Sequence, residues 1–228
     1  MDSFTHRGGE HLTLDSAKIY FEVHGDNAGP PLLFLHGGLG TMRDFNGVLP
    51  LLKKRFRLIG IDSRGHGKST LGTAGLSYQR LALDATGVLR HLGVERCSVV
   101  GFSDGGITAL RMAAEAGSRI DKLVAIGADK MLKPDDPVRK LLGSVTAESW
   151  AKKFPESVAP NRSTRSRRSR RWSRPSCQCG WMTATLATRV RASGASAAPC
   201  WRFAAMRTTW YRAPAYLSWW SRCRVRSC

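Results

Sequence analysis

The residues best suited to chemistry stand at 99–106, VVGFSDGG, where Ser103 follows an apolar run and lies between Gly101 and Gly105. A serine at the tip of a sharp strand–turn–helix is held in strained backbone geometry, with its hydroxyl presented as a nucleophile. Glycines two places to either side keep strand and helix from colliding. The helix N-terminus then directs free N–H groups and its positive dipole end at the reacting oxygen. The backbone N–H of Asp104 would supply one oxyanion donor. A second must come from another loop, and the Gly37–Gly38 turn is placed for it. Such a serine also needs a base to take its proton. His36 and His66 both lie in loops before the nucleophile and read as loop-bracing residues rather than bases. Asp62 reads as stabilising its loop, and Cys97 as a small core residue.

The surrounding pattern supplies elements to position these groups. LTLD at 12–15 and KIYFEVHG at 18–25 read as two short strands around a turn-like DSA. GPPLLFLHGGLG gives a buried strand, Leu32 to Leu35, that runs into a glycine-rich loop. Asp44 to Lys54 carries Phe45, Val48, Leu49 and Leu52 at helical spacing, and Pro50 predicts two short pieces or a kink. Phe56 to Ile61 is a strand ending in DSRGHGKS. Ser77 caps a helix whose Leu81, Asp84, Val88 and Leu92 follow the period, closed by Gly93. Cys97 to Val100 is the next strand. The helix after Ser103 is expected to turn Ile107, Leu110 and Ala114 inward, and Lys122 to Gly127 forms a further strand. Strands alternating with helices predict an α/β fold, a mostly parallel sheet with helices on both faces.

HGGLG at 36–40, DSRGHGKS at 62–69 and GFSDGG at 101–106, in that order and spacing, resemble the α/β-hydrolase family over roughly residues 12–156. The SDGGITAL run is similar to the biphenyl-hydrolase-like branch, which includes valacyclovir hydrolase. The resemblance implies a serine hydrolase acting on a small carboxylic ester, lactone, thioester or amide through an acyl-enzyme, with no metal or organic cofactor. It makes Ser103 the nucleophile and gives Gly38 and Asp104 the oxyanion N–H groups. In that branch an acidic residue after the nucleophile goes with amino-ester substrates, so the Asp104 carboxylate is a candidate contact for a substrate ammonium. The plainer reading is an aspartate favoured in a helix first turn. The family order is serine, acid, histidine. Asp129 is the one carboxylate placed like the acid of some branches, with a loop aspartate as the alternative. No histidine follows His91, so the catalytic histidine is absent from this chain.

Composition divides the chain in two near position 158. The formal charge of +19 would ordinarily suggest a nucleic-acid partner. Yet residues 157–228 hold 15 Arg, no Lys and no acidic residue, with five of the six Cys and six of the seven Trp. At the acidic frequency of the first 156 residues, such a stretch has a probability on the order of 10⁻⁴ against ordinary composition. An arginine–serine RNA-binding segment would not explain six Trp. CQC at 177–179 lacks a second pair at metal-ligand spacing. Out-of-frame translation of GC-rich coding DNA accounts for all of it. Rebuilding codons across APCWRFAAMRTTWY at 198–211 forces Leu from Cys200–Trp201 and Val from Trp210–Tyr211. The degenerate positions then permit P-V-L-A-L-R-G-D-E-D-H-L-V, an apolar strand followed by an acid-bearing loop of the family's form.

The expected organisation is therefore a hydrolase core at 1–130 that lacks its last strands in this chain. The start of a cap segment follows at 131–157, then an out-of-frame, disordered tail at 158–228. The expected location is cytoplasmic, since no leader pattern or apolar span is present. The expected partner is a small ester-like molecule, with neither membrane nor nucleic acid. Two other readings stay open: a catalytically dead binding protein of this fold, and an RNA-binding fusion through the tail.

Overall fold

Strands β1 (Glu10–Leu14) and β2 (Ala17–Gly25) open the chain as an antiparallel hairpin. Asp15 and Ser16 form its two-residue turn, at φ 46° and 62°, the left-handed pair that matches the twist of the flanking strands. The computed structural model describes residues 3–115 and 119–128, with isolated positions at Asp135, Ser144, Thr146, Ser149 and Lys152. Asp129, the rest of the expected cap segment and the tail from 158 lie outside the described residues.

Four more strands complete the sheet: β3 (Pro31–Leu35), β4 (Arg57–Ile61), β5 (Cys97–Phe102) and β6 (Ile120–Ile126). Their spatial order is β1-β2-β4-β3-β5-β6. β2 meets β4 antiparallel, and the β4, β3, β5 and β6 pairings are all parallel. The expected α/β architecture is thus present, with an antiparallel hairpin on one side.

Alternation along the strands sorts side chains onto two faces. Leu33, Leu35, Ile59, Ile61, Cys97 and Val99 are buried beneath α2 (Tyr78–His91) and α3 (Asp104–Glu115). Leu32, Phe34 and Leu58 bury the opposite face against Phe4, Met42, Phe45, Val48 and Leu49. Among the described residues, no long helix lies on that second face. It is covered by a 3₁₀ turn at Met42–Phe45, by α1 (Leu49–Leu52) and by the N-terminal segment. The break foreseen from Pro50 is therefore real, and Pro50 falls in the first turn of α1, where its missing N–H costs nothing.

The capping signals of α2 are used as the sequence implies. Ser77 accepts a hydrogen bond from the Arg80 N–H at 3.1 Å. At the other end Gly93 takes φ 66°, with Gly93 N–H on Arg90 O at 3.1 Å and Val94 N–H on Leu89 O at 2.8 Å, which is a Schellman closure. The inner face of α3 differs from expectation. Gly105, Gly106, Thr108, Ala109 and Met112 are buried, Ile107 and Leu110 are half-buried, and Ala114 is exposed. The helix starts so close to the sheet that its smallest residues must face inward. No helix among the described residues is long and apolar enough to cross a membrane.

Candidate active site

β5 ends at Phe102, α3 begins at Asp104, and Ser103 alone makes the bend, at φ 50°. A non-glycine residue in the left-handed region carries strain that its surroundings must hold. Here the Ser103 N–H donates to Ile126 O of β6 at 2.8 Å, and Ser103 O accepts from the Ile107 N–H at 3.0 Å. The tight approach has a clear steric basis at Gly105. A Cβ there would fall 2.0 Å from Leu35 O and 2.6 Å from His36 O. Helix α3 thus enters directly against the end of β3, and the nucleophile candidate stands at the C-terminal edge of the parallel strands, where α/β folds place their sites.

The loop after β3 lies against the same bend. A Cβ on Gly37 would sit 3.2 Å from the Ser103 Cβ. The loop turns through a Gly40 N–H to Gly37 O bond of 3.1 Å, with Leu39 at φ 66°. His36 is buried with both ring nitrogens engaged: Nδ1 faces Gly37 O at 2.7 Å, and Nε2 accepts the Ser63 N–H at 2.9 Å. The accepted bond fixes the neutral ring with its proton on Nδ1. His66 Nδ1 lies 3.0 Å from Arg64 O. Both histidines therefore brace loops.

The remaining four histidines have other partners. His6 Nε2 lies 2.9 Å from Asp62 Oδ2, His11 Nε2 is 3.2 Å from Lys68 O, and His24 Nε2 is 2.9 Å from Glu22 Oε2. His91, at the end of α2, meets the Phe21 ring edge-on. Among the described residues no imidazole bonds to the Ser103 hydroxyl, and no three His, Cys, Asp or Glu side chains gather as metal ligands would.

Asp62 joins several loops. Its carboxylate accepts from the Met42 N–H at 3.1 Å and the Lys68 N–H at 2.7 Å, and meets His6. Burial acts to raise this carboxyl, but the hydrogen bond and charge of His6 and the Lys68 N–H outweigh it and hold the group below the usual carboxylate range. The neighbouring Arg64 is fully buried. It grips Asp84 of α2 with Nε to Oδ2 at 2.8 Å and Nη2 to Oδ1 at 2.7 Å, and also reaches the carbonyls of Leu14, Asp15 and Leu71.

Asp104 carries the feature that the sequence did not foretell. The Tyr78 hydroxyl, at the first turn of α2, donates to Asp104 Oδ1 at 2.8 Å. The other oxygen stands over Gly38, where a Cβ would fall 2.2 Å from Oδ2. The residue is half-buried, but its carboxyl group lies among protein atoms. Burial raises it above the ordinary range, against the Tyr78 donor. Burial likewise pushes the Tyr78 phenol up, with the Asp104 charge adding to the effect. Gly38, Ser103 and Asp104 are thus brought together, and Tyr78 joins them. The signal for Tyr78 was its position just after the Ser77 cap, since helices that follow parallel strands begin at the same edge of the sheet.

A family model described as "alpha/beta hydrolase fold" matches residues 30–175. The match runs past position 158, where the composition changes. The AB hydrolase superfamily protein YisY of Bacillus subtilis is 39% identical over 121 residues, covering 52% of this chain and 42% of that protein. The sn-1-specific diacylglycerol lipase ABHD11 of Mus musculus is 29% identical over 143 residues, covering 61% of this chain and 46% of its own length. The chain spans less than half the length of these two curated relatives. Among solved structures, a hydrolase from Pseudomonas aeruginosa superposes with a TM-score of 0.57 at 24% identity, over 79% of this chain and 69% of that one. At that identity the likeness is one of fold.

Proposed function

The chain belongs to the α/β-hydrolase family, and on that premise we propose that Ser103 is the nucleophile of a hydrolase that cleaves a small carboxylic ester through an acyl-enzyme. The observation that carries this reading is the Ser103 bend, φ 50°, pinned between β5, β6 and the start of α3 beside the Gly37–Gly38 loop. A non-glycine residue held there without function would be an unrepaid strain. In the reaction the Ser103 oxygen bonds to the acyl carbon, and the carbonyl oxygen takes up negative charge. The N–H groups of Asp104 and Gly38 would receive that charge. The alcohol then leaves with a proton, and water releases the acid and restores the serine. A substrate ammonium beside the acyl carbon would find the Asp104 carboxylate as its partner.

No histidine follows His91, and among the described residues no imidazole is hydrogen-bonded to the Ser103 hydroxyl. We therefore read this chain as close to inactive, and its frame as shifted near residues 157–161, with the family's acid-bearing strand and histidine encoded beyond the shift. The test is covalent labelling with a fluorophosphonate. The chain as given is expected to label about 10⁴-fold more slowly than one whose frame is restored near codons 157–161. Ser103→Ala should abolish labelling of the restored chain. Rapid labelling of the present chain would mean that another base serves Ser103. Labelling that survives Ser103→Ala would remove Ser103 as the nucleophile.

A further inference from the structure

We propose that Asn46 is a site of spontaneous deamidation, and that its side-chain amide is the catch that keeps segment 4–9 docked on the sheet. Of the three asparagines, Asn27, Asn46 and Asn161, only Asn46 precedes a glycine. A backbone nitrogen attacks the preceding side-chain amide readily only where no side chain crowds it. Gly47 is exposed, with nothing within 4 Å of the place a Cβ would occupy. Among the described residues nothing accepts a hydrogen bond from its N–H. The chemistry balances with water alone. The Gly47 nitrogen gives up its proton and bonds to Asn46 Cγ, and the side-chain nitrogen takes a proton and leaves as ammonia. Water then opens the five-membered imide. Cleavage of the Cγ–N bond gives aspartate. Cleavage of the bond from the Asn46 main-chain carbonyl to the Gly47 nitrogen gives isoaspartate, with an extra methylene in the backbone ahead of Val48 and Leu49.

The amide that would be lost has two tasks. Asn46 Oδ1 accepts the Phe4 N–H at 2.8 Å, and Asn46 Nδ2 donates to Phe4 O at 3.0 Å, the two-way pairing that a neighbouring strand would supply. Phe4 is fully buried, with its ring above Gly60, where a Cβ would fall 2.7 Å from it. The rest of the segment also hangs on side chains. Thr5 N–H donates to Glu22 Oε2 at 3.0 Å, His6 Nε2 lies 2.9 Å from Asp62 Oδ2, and Gly9 N–H donates to the Tyr20 hydroxyl at 2.9 Å. A carboxylate at position 46 has no proton to offer Phe4 O and sets a charged oxygen against it. Ring closure, for its part, needs Asn46 Cγ to turn onto the Gly47 nitrogen, and the two Phe4 bonds oppose that turn. Docking of the segment therefore slows the reaction, and the reaction weakens redocking.

Peptide mass spectrometry of the full chain, incubated folded in mildly alkaline buffer, reads the conversion of amide to acid on the parent and needs no variant to fold. Asn46 should convert about tenfold more slowly than in the free peptide Arg43–Leu49, the effect of the two Phe4 bonds. Asn27, exposed but followed by alanine, should stay intact over the same period. His6→Ala, which loses the Asp62 contact, should convert at position 46 about fivefold faster than the parent. Gly47→Ala, with open space for its methyl group, should nearly stop the conversion. The role as catch is read by hydrogen exchange at Thr5 and Gly9, whose N–H groups do not bond to residue 46. In Asn46→Asp both should exchange about fivefold faster, with the sheet amides still protected. An Asn46 that stays intact in the parent and in His6→Ala, while the free peptide converts, overturns the site. Conversion in the parent as fast as in the free peptide overturns the shielding by Phe4. Unchanged exchange at Thr5 and Gly9 in Asn46→Asp overturns the catch.

Discussion

Replacing Gly105 by alanine should be among the costliest single methyl groups added to a glycine of the elbow's surroundings. Its Cβ would lie 2.0 Å from Leu35 O and 2.4 Å from Leu35 C, whereas ordinary contact begins at 3.4 Å. Helix and strand must therefore separate by roughly 1.4 Å, the difference between those two distances. Neither side can give cheaply. Leu35 is paired with Ile61 on one flank and with Gly101 on the other, and Gly105 belongs to the first turn of α3. Overpacking of this kind costs about 1–3 kcal/mol or more, and backbone against backbone puts it at the upper end, about 3 kcal/mol. Two other glycines calibrate the measurement. Gly93→Ala meets nothing within 4 Å but sits at φ 66°, so it should cost about 1 kcal/mol from conformation alone. Gly75→Ala meets nothing and is exposed, so it should stay within about 0.5 kcal/mol. The assay is urea unfolding followed by far-UV circular dichroism, because no tryptophan occurs before Trp150 and so none lies in the sequence of β1 to β6. A Gly105→Ala chain as stable as Gly75→Ala would refute the steric account of the bend.

Further outcomes follow from the buried charges. Arg64→Ala should lose about 3–5 kcal/mol, since it leaves Asp84 uncompensated in the core. Arg64→Met with Asp84→Leu should recover most of that loss in the same urea assay, and no recovery would mean that Arg64 matters chiefly through the Leu14, Asp15 and Leu71 carbonyls. Asp62 is held below the usual carboxylate range, so it contributes stability fully present above the unfolded value, about 4. That contribution is lost as pH falls through its folded value. The urea midpoint of the parent chain should therefore fall on acidification below about pH 4, and Asp62→Asn should flatten that slope; an unchanged slope would deny Asp62 this role. Asp104 acts in the opposite sense, since its raised value favours the neutral carboxyl and its contribution is lost as pH rises through the folded value.

What could be read from the sequence was local. The strand–Ser103–helix run, the Ser77 and Gly93 caps and the break at Pro50 each depend on neighbours a few residues away, and each is found in place. Apolar size points to Ile107, Leu110 and Ala114 as the inner face of α3, but only Leu110 packs against the core, and proximity to β3 buries Gly105, Gly106 and Ala109 more deeply. The loop motifs were visible as loops, but their partners were not. Arg64 and Asp84 stand 20 residues apart, His6 and Asp62 farther still, and no periodicity links such pairs. Asp104 was legible as a helix-start aspartate. That its carboxylate turns back onto Gly38 depends on Tyr78, which only the folded sheet brings beside it.

The bond from the Ser103 N–H to Ile126 O also bears on the order in which the molecule acquires its parts. The acceptor is the last residue of β6, 23 positions downstream, so a growing chain that has released only β5 and α3 has no partner for that amide. Until β6 docks, Ser103 is free to relax to an ordinary backbone conformation, and the bend is one of the late events of assembly. Loss of β6 from the sheet would then erase the nucleophile's geometry while leaving the hairpin, β4, β3 and β5 joined.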